Sequence, residues 1–264
     1  MTLIVWLSKI YIVILLLRYV MSIQDTTFSQ FGRVIAKITN PVLPKKNGKS
    51  YIPLWIISLI IVSSLLYSIA STSIEFLLNL NKIFNDYVFF FMSLYIVFII
   101  FGSLAVRGQI VYFFYMLGLP WVKMTRVFIP INSGKIVIPT IIVVYVLFTF
   151  LSFIINTVFN IIIYQNAGNL LSLLGSCFAL GAYNIFNLLY LMSIILIVRA
   201  LISWVSPDPR NILVQFIYVI TEPVLEPLRK LIPPVGFIDF SALIAIIGFY
   251  FSSIILKGVV SPFI

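Results

Sequence analysis

Apolar residues fall in six long runs along the chain, separated by shorter polar or mixed segments. The runs cover roughly Leu3–Ile23, Ile52–Ser71, Tyr87–Val106, Ile136–Ile163, Ala182–Val205 and Ile238–Lys257. A hydrocarbon core of about 30 Å takes about 20 apolar residues when crossed as a helix. Each run therefore predicts one transmembrane helix. The fourth is long enough to tilt or extend past the bilayer. A short run before the fifth, Leu170–Leu180, contains Gly175 and reads as a helical extension or an interfacial piece. The first run begins almost at Met1 without a basic leader, and no small-residue cleavage site follows it. It is expected to remain as a span and not to be removed as a signal peptide.

The connections after the first, third and fifth runs carry a second pattern. In the first, Phe28, Phe31, Val34, Ile35 and Ile38 recur at helical spacing, with Gln30, Arg33 and Lys37 on the other side. That pattern predicts an amphipathic helix lying at the interface. In the second, Ile110–Val122 is apolar but too short to span, which makes it interfacial or re-entrant. In the third, Asp208 and Pro209 predict a helix start, the carboxylate capping and the proline fitting the first turn. Ile212, Leu213, Phe216, Ile217 and Ile220 then form an apolar stripe. Pro223, Pro227, Pro233 and Pro234 are expected to break the remainder of this hairpin into short pieces.

These three connections also match one another. Thr39, Pro44, Gly48, Lys49, Ile52 and Pro53 recur 86 residues later as Thr125, Pro130, Gly134, Lys135, Ile138 and Pro139. Thr39-Asn40-Pro41-Val42-Leu43 pairs with Thr221-Glu222-Pro223-Val224-Leu225, differing at one residue of five. Arg18, late in the first run, matches Arg199, late in the fifth; the third run has Gly102 there, with Arg107 shortly after. Each unit is a span, a hairpin and a second span. An even number of spans per unit gives every unit the same orientation, unlike the inverted repeats frequent in alternating-access carriers.

Charge sets the expected orientation. The connections after runs one, three and five hold twelve basic residues: Arg33, Lys37, Lys45, Lys46, Lys49, Arg107, Lys123, Arg126, Lys135, Arg210, Arg229 and Lys230. The other two hold only Lys82, beside Glu75 and Asp86. The positive-inside rule places the hairpins in the cytoplasm and both termini outside. The net charge of +10 then reads as a basic cytoplasmic face toward anionic headgroups, and no direct nucleic-acid partner is expected.

Composition removes most chemistry. The chain is 62% hydrophobic and 9% charged, against about 45–50% and about 25% for a soluble domain. It has no His and one Cys, Cys177, so no metal cluster, cofactor or internal disulfide is expected. Gly48-Lys49-Ser50 lacks the earlier Gly of a phosphate-binding loop and reads as a basic interfacial turn. Within the spans, Asn156 and Asn160 share a helix face, as do Asn184 and Asn187; such amides join helices by hydrogen bonds more often than they line a pore. Arg18 and Arg199 either snorkel to the headgroups or pair with an acid from the following hairpin. Arg199 has Asp208, Glu222 and Asp239 as candidate partners, whereas Arg18 has only Asp25 nearby in sequence.

Arg199-Ala200-Leu201-Ile202-Ser203-Trp204, Pro207-Asp208-Pro209 and Thr221-Glu222-Pro223-Val224-Leu225-Glu226-Pro227-Leu228-Arg229, followed by Pro233-Pro234, Gly236 and Ile238-Asp239, resemble the YggT (YlmG-like) family of small bacterial and plastid membrane proteins. Leu15-Leu16-Leu17-Arg18, Phe28-Ser29-Gln30-Phe31 and Thr39-Asn40-Pro41-Val42 look like a second family unit. The middle unit, roughly Tyr87–Ile163, joins them only through the internal match. The resemblance implies an inner-membrane or plastid-membrane protein without assigned catalysis. Relatives are connected with cell division and nucleoid distribution, with osmotic tolerance, and in plastids with cytochrome assembly.

The expectation is an all-α membrane protein of six transmembrane helices, arranged as three parallel repeats of helix, amphipathic hairpin and helix. It forms a single membrane domain, 1–264, with units 1–80, 87–165 and 176–260. The expected function is non-enzymatic: a scaffold or assembly factor of the bacterial inner membrane. Its hairpins would engage lipid headgroups and other membrane, division or assembly proteins. The alternative is a solute or ion pathway linked to osmotic tolerance. The candidate cluster is Arg199, Asp208, Glu222 and Asp239, with Arg18, Thr39, Pro41, Gly48, Thr125, Gly134, Thr221, Pro223 and Gly236 at matched positions in the repeats.

Overall fold

The computed structural model describes residues 2–43, 48–69, 73–103, 109–129, 136–205, 211–231 and 240–264. Its α-helices are α1 (Thr2–Val20), α2 (Ile23–Phe28), α3 (Gln30–Thr39), α4 (Ile52–Ser68), α5 (Ser73–Gly102), α6 (Gln109–Phe128), α7 (Val137–Tyr164), α8 (Leu170–Val205), α9 (Ile212–Leu231) and α10 (Phe240–Val260). Six of them, α1, α4, α5, α7, α8 and α10, are long and apolar enough to cross a membrane. Large apolar side chains such as Leu54, Ile57, Ile154 and Phe251 stand on the outside of these helices, where a water-soluble protein would carry charge. This is a polytopic helical membrane protein.

Two helices start before the apolar runs that mark their spans. The helix of the third span begins at Ser73 and not at Tyr87, so Glu75, Lys82 and Asp86 lie on a helix and not in a loop. The short run before the fifth span is the helical extension and not the interfacial piece, since Leu170–Val205 is one helix of 36 residues. Gly175 is tolerated inside it, since a helix-interior glycine costs only about 1 kcal/mol.

Within the bundle α1 packs on α4, α5 on α7, and α8 on α10, while α4 meets α5 and α7 meets α8. The second span of each pair turns small or hydroxyl residues inward. In α4 these are Ser63, Ser64 and Ser68; in α7, Thr140, Thr149 and Ser152; in α10, Ser241, Ala242, Ala245 and Ser253. Small residues let backbones approach when lipid supplies no hydrophobic drive between helices. Their hydroxyls donate mostly within the helix, as Ser64 Oγ does to Ile60 O at 2.6 Å and Thr140 Oγ1 to Ile136 O at 2.7 Å.

The hairpin helices fold back along the span that precedes them. Leu43, just after α3, packs with Leu15 of α1, and Leu225 of α9 packs with Leu196 of α8. Along α6, Tyr115 lies against Gly102 and Gly118 against Phe98 and Ile99 of α5, so the two helices run antiparallel. The hairpins also touch each other through Phe31–Phe113 and Phe114–Phe216, with ring centroids 6.2 and 5.9 Å apart. In the first, Ile35 and Ala36 turn into the bundle, while Val34 and Ile38 of the expected stripe stay exposed. Ser22 and Asp25 form a capping box that starts α2, and Ser29 caps α3.

The prolines of the third hairpin do not break it. Helix α9 runs through Pro223 and Pro227 without interruption. Proline removes a backbone donor, but side chains hold the preceding turn: Thr221 Oγ1 donates to Ile217 O at 2.6 Å, and Arg199 Nη1 to Tyr218 O at 3.2 Å. Asp208, Pro209, Pro233 and Pro234, and with them the expected helix start, lie outside the described residues.

Candidate functional site at the third hairpin

Arg199 sits near the end of α8 and is only 6% exposed. A charge this deep needs partners, and α9 supplies them. Nη1 donates to Thr221 Oγ1 at 2.6 Å, and Nη2 to Glu222 Oε2 at 2.6 Å. The guanidinium carbon lies 4.2 Å from the centroid of the Tyr218 ring, a cation–π contact. The other oxygen of Glu222 accepts from Arg229 Nη1 at 2.7 Å. One carboxylate thus bridges two arginines, one buried and one near the surface. Residues 218, 221, 222 and 229 share a face of α9 because helical turns bring positions three, four and seven apart together.

Of the three acids offered to Arg199 by the sequence, the structure therefore brings Glu222 to it; Asp208 and Asp239 lie outside the described residues. Glu226 turns outward and pairs with Lys230 at 2.9 Å, both exposed. Snorkelling does not describe Arg199, whose head group points into protein.

The matched positions agree in some respects and part in others. Thr39, Thr125 and Thr221 are all fully buried, and each hydroxyl donates to the carbonyl four residues back: Ile35 at 2.9 Å, Trp121 at 2.9 Å and Ile217 at 2.6 Å. Pro41 is exposed in the turn after α3, and Pro223 is half-buried within α9. Gly48 opens a short 3-10 turn leading into α4; Gly134 and Gly236 lie outside the described residues. Pro53 stands in the first turn of α4, as the sequence match requires. The match does not extend to packing at Ile52 and Ile138, since the first is buried and the second 70% exposed.

At the arginine position the three segments diverge. Arg18 has no acid where Arg199 has Glu222; the matched residue is Asn40, which is exposed. Nε and Nη1 of Arg18 are buried without a hydrogen-bond partner among the described residues. In the middle segment the position is Gly102, and a Cβ there would lie 2.7 Å from the Tyr115 backbone. Helix α6 occupies the space an arginine would need.

Two polar clusters lie outside the third hairpin; the sequence reading missed the first entirely and, of the second, found Asn156 but not its partners on α5. Lys9 of α1 pairs with Asp86 of α5 at 2.6 Å. Nearby, the Tyr87 hydroxyl hydrogen-bonds Ser63 Oγ at 2.6 Å and also bonds Ser8. Asp86 was hidden because it reads as a loop residue until α5 is seen to extend past it; the signal for Lys9 is a lone cation inside an apolar run. The second cluster joins α5 to α7. Asn81 Nδ2 donates to Asn156 Oδ1 at 2.9 Å, Asn156 Nδ2 to Asn85 Oδ1 at 3.0 Å, and Ser152 Oγ also to Asn85 Oδ1 at 2.5 Å. Asn156 thus joins helices, as expected. Asn184, by contrast, donates to its own Leu180 carbonyl at 2.8 Å. Asn156→Leu leaves Asn85, 6% exposed, short of a partner. It should cost about 1–2 kcal/mol, read as a lowered unfolding midpoint in mild detergent. An unchanged midpoint would show that the amides do not hold α5 to α7.

Against known proteins, residues 179–260 match the CCB3/YggT family model. The likeness to that family is confined to this third segment. The family match contains the whole Arg199–Glu222–Arg229 cluster. A relative from Vibrio alginolyticus, described as "Uncharacterized protein in proC 3'region", is 34% identical over 68 residues, which is 26% of this chain and 36% of the relative. The chain therefore covers little more than a third of that protein's length. No solved structure matches.

Proposed function

We propose that the chain is a non-enzymatic scaffold or assembly factor of the bacterial inner membrane, built of three parallel two-span units in one domain. The observation that carries this reading is the Arg199–Glu222–Arg229 bridge, which fixes α9 along α8. A fixed helix presents a fixed surface, and the Glu226–Lys230 pair stands exposed on it. The span pairing, the three equivalent threonines and the Leu15–Leu43 and Leu196–Leu225 contacts support the unit scheme. The extended α5 and α8 move the unit starts to Ser73 and Leu170. The pathway reading draws less support, because the asparagines of the α5–α7 seam fill one another's hydrogen bonds.

Purification in mild detergent and identification of bound proteins tests the scaffold role. A defined set of membrane or assembly partners is expected. It should be lost on the charge reversal Glu226→Lys with Lys230→Glu, while the protein stays monodisperse. Solute flux through liposomes in the absence of any partner would instead support the pathway.

The basic bias supports a cytoplasmic position for the hairpins, and Lys9 does not weaken it, since Asp86 neutralises that charge. In a Cys177→Ser background, Asn47→Cys, Asn132→Cys and Lys230→Cys should be shielded from an impermeant thiol reagent in intact cells. Asn166→Cys, in the connection between α7 and α8, should label. The reverse labelling pattern overturns the orientation.

A further inference from the structure

Arg18 differs from the paired cations of the bundle. Lys9 meets Asp86, Arg199 and Arg229 share Glu222, Lys230 meets Glu226, and Lys257 faces the rings of Tyr183 and Tyr190 at 5.4 and 5.3 Å. Arg18 presents two fully buried donors, Nε and Nη1, with no acceptor among the described residues. Nε and Nη1 point to different sides of the guanidinium, so the two orphaned donors call for two separate acceptor oxygens, which an anionic group supplies. A second cation reaches the same end of α1. Lys49 lies within electrostatic reach of Arg18, and its ammonium donates to the carbonyl of Met21, one turn beyond Arg18. Asp25 is also within reach of Lys49, and its Oδ2 accepts from Ser22 N and Oγ at 2.8 and 2.7 Å in the capping box.

The same face of α1 continues as a groove. Counting back from Arg18, Ile14, Tyr11 and Leu7 come at steps of four, three and four, one stripe of the helix. These three line a groove between α1 and α4, closed on the other side by Leu59, Val62 and Leu66, with a volume of about 490 Å³. Tyr11 also keeps a buried hydroxyl without a partner among the described residues. From Arg18 to Leu7 is eleven residues, about 16 Å at about 1.5 Å per residue, close to half of a hydrocarbon core of about 30 Å. The Arg18 end of α1 therefore lies about one acyl-chain length from the far part of this apolar groove.

We infer that α1 and α4 form a site for one anionic phospholipid, its headgroup phosphate held by Arg18 and Lys49 and one acyl chain laid along Leu7, Tyr11 and Ile14. Basic pockets between spans at the cytoplasmic face take such headgroups. The inference deepens the scaffold reading and rests on its placement of the hairpins at the anionic leaflet. It divides the labour between repeats. The third unit neutralises its arginine with its own glutamate, and the first, having Asn40 there, takes the counter-charge from the bilayer.

The test compares unfolding midpoints in nanodiscs of phosphatidylcholine with and without phosphatidylglycerol. The wild-type midpoint should rise by about 2–4 °C with phosphatidylglycerol. Arg18→Gln with Lys49→Gln should abolish the rise, and so should Leu7→Trp, which fills the groove from the lipid side and keeps both cations. Arg33→Gln with Lys37→Gln, on the exposed face of α3, should keep it. Inorganic phosphate added to phosphatidylcholine nanodiscs should give no rise. If it does, the site takes a free anion and the lipid assignment falls. A rise that survives in Leu7→Trp overturns the inference even where the double variant fails to fold. A rise lost only in the Arg33 and Lys37 variant removes this site but leaves the general engagement of lipid by the hairpins. No rise in the wild type removes both, while partner recovery remains a separate test of the scaffold.

Discussion

Glu222→Leu should lower stability by about 3 kcal/mol, the lower end of what breaking a buried ion pair costs. The reason is what it leaves behind. Arg199 would stay 6% exposed, with only the Thr221 hydroxyl, the Tyr218 carbonyl and the Tyr218 ring to face its charge. The glutamate side chain is 42% exposed, so water access keeps the cost from rising further. Arg199→Leu should cost less, because the orphaned carboxylate keeps Arg229 and its solvent. The double change Arg199→Met with Glu222→Leu should recover most of the loss, since apolar pairs of similar volume often replace buried ion pairs without penalty. Denaturant unfolding in mild detergent reads all three. Equal losses for the two single changes, adding in the double, would mean that the residues do not act as a pair.

Gly102→Ala should be more damaging than Gly118→Ala, the other described glycine of the middle segment, and cost about 1–3 kcal/mol. Its Cβ would meet Tyr115 Cα and N at 2.7 Å. Backbone atoms cannot rotate away as a side chain tip can, so α6 would have to move off α5. The Phe98–Phe114 stacking, centroids 5.4 Å apart, would move with it. Gly175→Ala is the control. Nothing lies within 4 Å of its added methyl, and replacing a helix-interior glycine should gain about 0.5–1 kcal/mol. Gly102→Arg would restore the residue type found at positions 18 and 199, and is expected to give no monodisperse protein. A thermal midpoint for Gly102→Ala equal to that of Gly175→Ala would show that α6 does not press on α5.

Much of the architecture can be read from the chain because a bilayer imposes a one-dimensional rule. Runs of about 20 apolar residues must cross a core of about 30 Å, so the six spans are found by length alone. Arg199 is legible for a related reason: a guanidinium late in an apolar run must either reach water or find an acid. The choice among Asp208, Glu222 and Asp239 is not legible. Glu222 is selected because α9 continues through Pro223 and folds back along α8, and both features arise from contacts between helices. The reverse error occurs at Asp86, which reads as a loop acid until helix α5 carries it to Lys9. Gly102 looks like a missing arginine in sequence, yet in the folded chain it is the point where two backbones meet. The sequence by itself determined the membrane class, the number of spans and the family segment, since those depend on local length, polarity and spacing. The tertiary structure decided which polar groups meet, because a buried charge takes the acceptor that helix packing brings within hydrogen-bond reach.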